Sequence, residues 1–190
     1  MGYDVYGLNP KENTPKPAVL NEEPWKMEEN KRKEYFEASD KWETENPGTY
    51  FRNNVWWWRP LWNYVCEVCE DVMSPEDMNA GGSNSGHKIS EPTVDRMVEK
   101  LVVEIALDNH KKHEKAYMEE IKNLPEEDCT ICDATGKRKE PPLSGAGDTH
   151  CNGCNGTGKK KAWASNYPFS AENVEEFVSF LSESGGIEIC

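Results

Sequence analysis

Six of the seven cysteines in this chain fall in three Cys-x-x-Cys pairs, Cys66/Cys69, Cys129/Cys132 and Cys151/Cys154, and Cys190 is the last residue. The start Met1-Gly2-Tyr3-Asp4 has neither the basic residues nor the apolar stretch of a secretion signal, so a cytoplasmic location is expected. There an odd set of paired thiols reads as metal ligands or redox groups rather than disulfide staples. The second and third pairs enclose 18 residues, positions 133 to 150, within the spacing of a C-x2-C-x15–20-C-x2-C zinc site. Two thiolates separated by two residues can face one ion across a tight turn, and two such turns close a tetrahedron. One structural zinc on Cys129, Cys132, Cys151 and Cys154 is therefore expected, with no coordination position left open for catalysis. His150, beside Cys151, is the alternative ligand.

Glycines follow each pair where the chain must bend past the ion. Cys151-Asn-Gly-Cys154-Asn-Gly156-Thr-Gly158 resembles the Cys-x-x-Cys-x-Gly-x-Gly repeat of the DnaJ cysteine-rich zinc domain at every position. Cys129-Thr-Ile-Cys132-Asp-Ala134-Thr-Gly136 resembles it with Ala134 in place of one glycine. The resemblance covers about residues 129–158 and implies a zinc-bound hairpin. The His-Pro-Asp signature of a J-domain is missing from the sequence, so no co-chaperone role is implied.

The 190 residues carry 22 Lys and Arg against 35 Asp and Glu, a formal charge of −13, which repels nucleic-acid phosphate and disfavours duplex DNA as a partner. Hydrophobic residues make up 36%, below the roughly 45–50% of an ordinary domain. Part of the chain must then be held by something other than apolar burial, and a metal can supply that free energy. No apolar run approaches the ~20 residues of a membrane span.

The patterning predicts an α+β fold: a mainly helical small body, a short sheet joining the N- and C-terminal strands, and a zinc-bound hairpin module. Residues 3–8 suit a strand, and 187–190 a closing strand that pairs with 3–7. Residues 24–45 read as a charged helical insertion with i,i+4 pairs Glu28/Arg32, Glu29/Lys33 and Glu37/Lys41. Residues 49–58 read as extended, with Pro60 opening a helix over 60–73. Ser90 caps a single helix over 91–124, and Ser170 caps a last helix that Gly185-Gly186 stop. The body then comprises 1–128 and 162–190, and the module 129–161. Leu61, Val65, Cys69 and Val72 recur at helical spacing, which puts Cys69 in the core, with a second metal site or a redox pair as the alternative for Cys66 and Cys69.

Four of the seven tryptophans lie between Trp56 and Trp62, bracketed by Arg52 and Arg59. Two readings stay open. The indoles can fill a core poor in aliphatics, or Trp56, Trp58 and Trp62 with Arg52 and Arg59 can hold a small planar, anionic, nucleotide-like ligand by stacking and guanidinium contact. The loop Gly81–Gly86 reads as plain surface, with an anion site as its alternative. His110 and His113, set among Lys111, Lys112 and Lys115, read as a solvated helix end, with a metal held on that helix face beside Glu114 as the alternative. Since neither a Ser/His/Asp nor a Cys/His pairing stands out, a non-enzymatic binding protein is expected. Within 129–161, six basic residues (Lys137, Arg138, Lys139, Lys159, Lys160, Lys161) face Asp133, Glu140 and Asp148, a local charge of +3. The alternative role is accordingly an adaptor whose zinc module binds a protein or RNA partner.

The segments Met1–Pro10, Tyr50–Trp62 and Ser184–Cys190 are similar to a family of uncharacterised bacteriophage and bacterial proteins. That family brings no activity with it. A viral source implies interference with host defence, for instance by holding a nucleotide signal.

Overall fold

The computed structural model describes residues 2–138, 140 and 149–190. Met1, Lys139 and Asp148 lie outside the described residues, the last two being charges assigned above to the zinc module. The fold is α+β, and the chain divides into two compact units, Met1–Glu114 with Phe169–Cys190, and Lys115–Pro168.

In the first unit, strands β1 (Gly2–Gly7) and β2 (Tyr50–Asn54) pair antiparallel, with Val5 opposite Phe51. The helices that follow are α1 (Glu29–Glu45), α2 (Val55–Val68) and α3 (Pro75–Ala80), and then come strand β3 (His87–Ile89) and helices α4 (Glu91–Ala106) and α5 (Asn109–Lys122). The two-residue strands β4 (Glu127–Asp128) and β5 (Lys159–Lys160) belong to the second unit. Helix α6 (Ala171–Ser184) and strand β6 (Ile187–Ile189) end the chain. The main sheet has the order β2-β1-β6-β3 and is antiparallel throughout, with the expected pairing of the two chain ends at Val5↔Ile189 and Gly7↔Ile187. The segments Met1–Pro10, Tyr50–Trp62 and Ser184–Cys190 thus come together through β1, β2–α2 and β6.

Strand alternation sorts the sheet into two faces. Tyr3, Val5, Ile89, Ile187 and Ile189 are buried on one, against α2 and α6. Asp4, Tyr6, Tyr50, Arg52, Lys88 and Glu188 share the other; there Tyr50 donates its hydroxyl hydrogen bond to Asp4, and Arg52 pairs with Asp4 at 3.5 Å.

Several expectations about helices are corrected. Residues 55–58 are helical, because the Asn54 side chain accepts the N–H groups of Trp56 and Trp57 at 3.0 and 3.3 Å and so caps a helix that begins at Val55. Pro60 lies inside α2 rather than at its start. The helix expected over 91–124 breaks at Asp108, which takes φ 53° between α4 and α5, a conformation Asp tolerates better than most residues. Ser90 occupies the N-cap position of α4, but its hydroxyl meets Thr93 Oγ1 at 3.2 Å instead of a backbone N–H. Helix α1 starts at Glu29, later than expected. Its ion pairs run Lys33–Glu37 and Lys41–Glu45, while Arg32 donates to the carbonyls of Pro24 and Met27.

Every side chain of α1 stays at least partly exposed, and its attachment is polar. Asn46, fully buried beyond its C-terminus, accepts the N–H groups of Asn13 and Thr14 at 2.7 and 3.1 Å. It donates to the Trp42 carbonyl at 2.7 Å and to Thr14 Oγ1 at 2.9 Å. The connection 9–23 is thereby tied to the end of α1.

Candidate metal centre

The four cysteines of the second and third pairs come together in the Lys115–Pro168 unit. Their Sγ atoms lie within 4.8 Å of one another, and the four residues are 0–7% exposed. Cys129 Sγ is 3.8 Å from Cys151 Sγ, and Cys132 Sγ is 3.7 Å from Cys154 Sγ. A tetrahedron of bonds of about 2.3 Å needs sulfur–sulfur edges of about 3.8 Å. Two edges have that length and the rest lie within 4.8 Å, so the tetrad could hold a metal ion. His150 is exposed and stands outside the tetrad, so the four thiols alone make the site.

A local two-fold relation builds this geometry. The N–H of Ala134 donates to the Cys129 carbonyl and that of Gly156 to the Cys151 carbonyl, both at 3.0 Å. Thr135 and Thr157 each donate N–H and hydroxyl to the carbonyl of the preceding cysteine, Cys132 or Cys154. The turns are then stitched crosswise, Cys129 N–H to Gly158 O at 2.9 Å and Cys151 N–H to Gly136 O at 3.0 Å. The same symmetry pairs Asp128 with Lys159 and His150 with Lys137. Gly136 (φ 74°) and Gly158 (φ 78°) sit where a Cβ would come within 2.2 Å of the Gly156 carbonyl oxygen and 2.1 Å of the Ala134 carbonyl oxygen. Only glycine fits both the conformation and the space.

Burial pushes the Cys132 thiol up to about 11, against the lowering pull of the Gly136 N–H. Burial acts on Cys154 in the same sense, but the Gly158 N–H at 3.2 Å and the neighbouring thiols bring it down to about 7. Four thiols so close do not all ionise alone, since each thiolate repels the next. A bound divalent cation removes that penalty and deprotonates its ligands.

Cys66 and Cys69 stand apart, in the first unit. Burial raises both, half-buried Cys66 to about 11 and Cys69, packed in the core, to about 12.

The tryptophan segment does not assemble as a ligand platform. Trp58 and Trp62 are 0% and 3% exposed. Tyr3, Trp58 and Trp62 form a stack with centroids 5.1 and 5.2 Å apart, and Phe177 meets Trp58 edge-on. Both indole N–H groups are bonded at 2.8 Å, Trp58 to the Gly81 carbonyl and Trp62 to the Met78 carbonyl. These two side chains therefore have no face to offer a ligand, which corrects their assignment as stacking residues. Trp56 is half-buried, and Arg52 and Arg59 are exposed. Arg52 lies on the sheet face opposite the one that α2 covers, so it is not brought to Trp58 and Trp62. The shallow cleft of ≈ 270 Å³ beside Trp57 is lined by Glu172 and Glu176, which repel an anion. Gly81, in the loop considered for an anion, instead supplies the carbonyl that satisfies Trp58.

The histidine expectation is corrected as well. His110 is fully buried, with Nε2 2.8 Å from Glu175 Oε1, and its Nδ1 has no partner among the described residues. His113 packs between Tyr64 and Phe169, with centroids 4.8 and 4.6 Å away. The lysines between them point outward while the two imidazoles turn inward. Among the described residues, no helix is long and apolar enough to cross a membrane. No protein-family model, curated protein or solved structure matches the chain.

Proposed function

We propose that this chain is a zinc-stabilised adaptor. One zinc ion on Cys129, Cys132, Cys151 and Cys154 fixes the Lys115–Pro168 unit, and that unit binds a protein partner. The observation that carries the reading is the tetrad itself: four buried sulfurs within 4.8 Å of one another, two of the edges at 3.7 and 3.8 Å, presented by two symmetric turns. An all-thiolate set with every position filled is the chemistry of a structural ion, so the metal's part is to hold a surface. Charge supports a role separate from that of the body. Residues 115–168 contain eight Lys and Arg and eight Asp and Glu, so the whole excess of −13 resides in the other unit.

Metal analysis of the full chain should give about one equivalent of zinc, lost in Cys129→Ser. Chelation should abolish the near-ultraviolet signal of the zinc unit and leave that of the Trp58 core intact. Proteins cross-linked to the full chain should be lost on deletion of 129–161. A sub-stoichiometric zinc content indifferent to Cys129→Ser would overturn the metal assignment. Cross-links that survive the deletion would overturn the adaptor role.

A further inference from the structure

We propose that a groove in the zinc unit, between the last turns of α5 and the turn Trp163–Asn166, binds an acidic segment of a partner protein that carries bulky apolar side chains. The inference rests on the adaptor reading and names its partner by chemistry. The groove encloses ≈ 600 Å³, and Met118, Ile121, Leu124 and Ala162 form its apolar lining. That is room for two or three large side chains, within the ~300–1,000 Å³ of ordinary binding pockets. Met118, 39% exposed, adds a flexible thioether that adapts to different side chains.

Charge selects the occupant. Two cations, Lys122 and Lys161, line the groove against one carboxylate, Glu126. Lys159 nearby is already paired with Asp128 at 2.5 Å, which leaves the rim lysines as the determinants of sign. A segment with carboxylates flanking apolar anchors satisfies both features, as amphipathic segments in grooves generally do. The walls are fixed beforehand. Tyr117 donates its hydroxyl hydrogen bond to the Tyr167 carbonyl at 3.0 Å, and Ser165 closes the turn through N–H and hydroxyl bonds to the Ala162 carbonyl. Such a preformed groove avoids part of the ordering cost of binding.

The test titrates the isotope-labelled, zinc-loaded full chain with three probes, followed by amide shifts. They are a short peptide of Leu, Phe, Asp and Glu, its counterpart with Lys and Arg replacing the acids, and a short oligouridylate. The acidic peptide should bind saturably, moving amides at 118–124 and 161–165. The double substitution Lys122→Glu with Lys161→Glu should weaken it by about tenfold or more with zinc content unchanged. Equal binding of the basic peptide, preference for the oligouridylate, or unchanged affinity of the double variant would each overturn the proposal. Shifts confined to another face of Lys115–Pro168 would overturn the groove and leave the adaptor reading standing. If no probe binds, the groove assignment fails, and the adaptor reading is then decided by the cross-linking comparison.

Discussion

Trp58→Phe separates a core role for the tryptophan segment from a ligand role, because the two predict changes in different observables. In the folded chain the indole is fully buried, stacked between Tyr3 and Trp62, and bonded to the Gly81 carbonyl at 2.8 Å. Phenylalanine keeps the stack but removes the N–H, leaving a buried carbonyl without its partner at a cost of about 1–3 kcal/mol. The missing ring half leaves a void on the order of 40 Å³, worth about 1 kcal/mol at roughly 24 cal/mol per Å³. The expected loss is therefore about 2–4 kcal/mol, a large part of the 5–15 kcal/mol that holds a typical domain together. With a urea slope of about 2 kcal/mol per M, the midpoint of the main unit should fall by roughly 1–2 M. The assay is urea unfolding in saturating zinc, followed by far-ultraviolet circular dichroism so that the lost fluorophore does not bias the reading. A loss below about 0.5 kcal/mol, the scale of a neutral surface change, would refute the core assignment.

The metal turns allow a paired experiment. Ala134 holds φ 60° where its symmetry mate is Gly156, so Ala134→Gly should stabilise the zinc unit by about 0.5–1 kcal/mol. Gly156→Ala should destabilise it by more, since the new Cβ would also lie 2.3 Å from His150 Cε1. Thermal melts at fixed free zinc read both, and equal melting of Ala134→Gly and the parent would count against the strained turn. A second expectation concerns acid. Burial tends to raise the Asp77 carboxyl, but hydrogen bonds from His87 at 2.8 Å and from Ser74 hold it below its ordinary value of 3.8. A depressed folded pKa gives stability that is present above the unfolded value and lost as pH falls through the folded one. The stability gap between the parent and Asp77→Asn, measured by urea midpoints from about pH 5 down to about pH 3, should therefore shrink. A gap that stays constant or widens would contradict the pairing.

What the sequence made legible follows the range of the interactions concerned. The β1–β6 pairing and the Ser170 cap are written in alternation and in a single side chain, and both appear as expected. The cysteine tetrad was legible because metal geometry fixes the spacing of its ligands. The start of α2 was not: aromatic and β-branched residues at 55–58 suit a strand locally, and Pro60 suits a first turn. The outcome was decided by Asn54 as cap and by burial of Trp58, Leu61, Trp62 and Val65 on one helical stripe. That stripe was the signal available, since its i, i+3, i+4, i+7 spacing continues to Cys69. The break at Asp108 had a signal too, the Asp108-Asn109 pair, which tolerates a left-handed turn. The inward turn of His110 had none, because its partner Glu175 lies 65 residues away. The groove beside Met118 is likewise made by segments distant in sequence.

The low apolar content now has a physical division. Among the described residues of Lys115–Pro168, the buried side chains are the four cysteines and Ala162, so sulfur forms the core that aliphatics form elsewhere. Apolar burial contributes about 1.5–3 kcal/mol for each large side chain, and one alanine with four small thiols falls well short of the chain entropy that must be overcome. A structural zinc ion, which contributes an apparent 10–16 kcal/mol in small domains, would supply a contribution of that order at the tetrad. The main unit needs no such help, holding Trp58, Trp62, Phe177, Leu61, Met97 and the sheet's inner face. If the tetrad holds its ion, chelation should accordingly unfold the Lys115–Pro168 unit and spare the other, a difference that separate far- and near-ultraviolet melts would read.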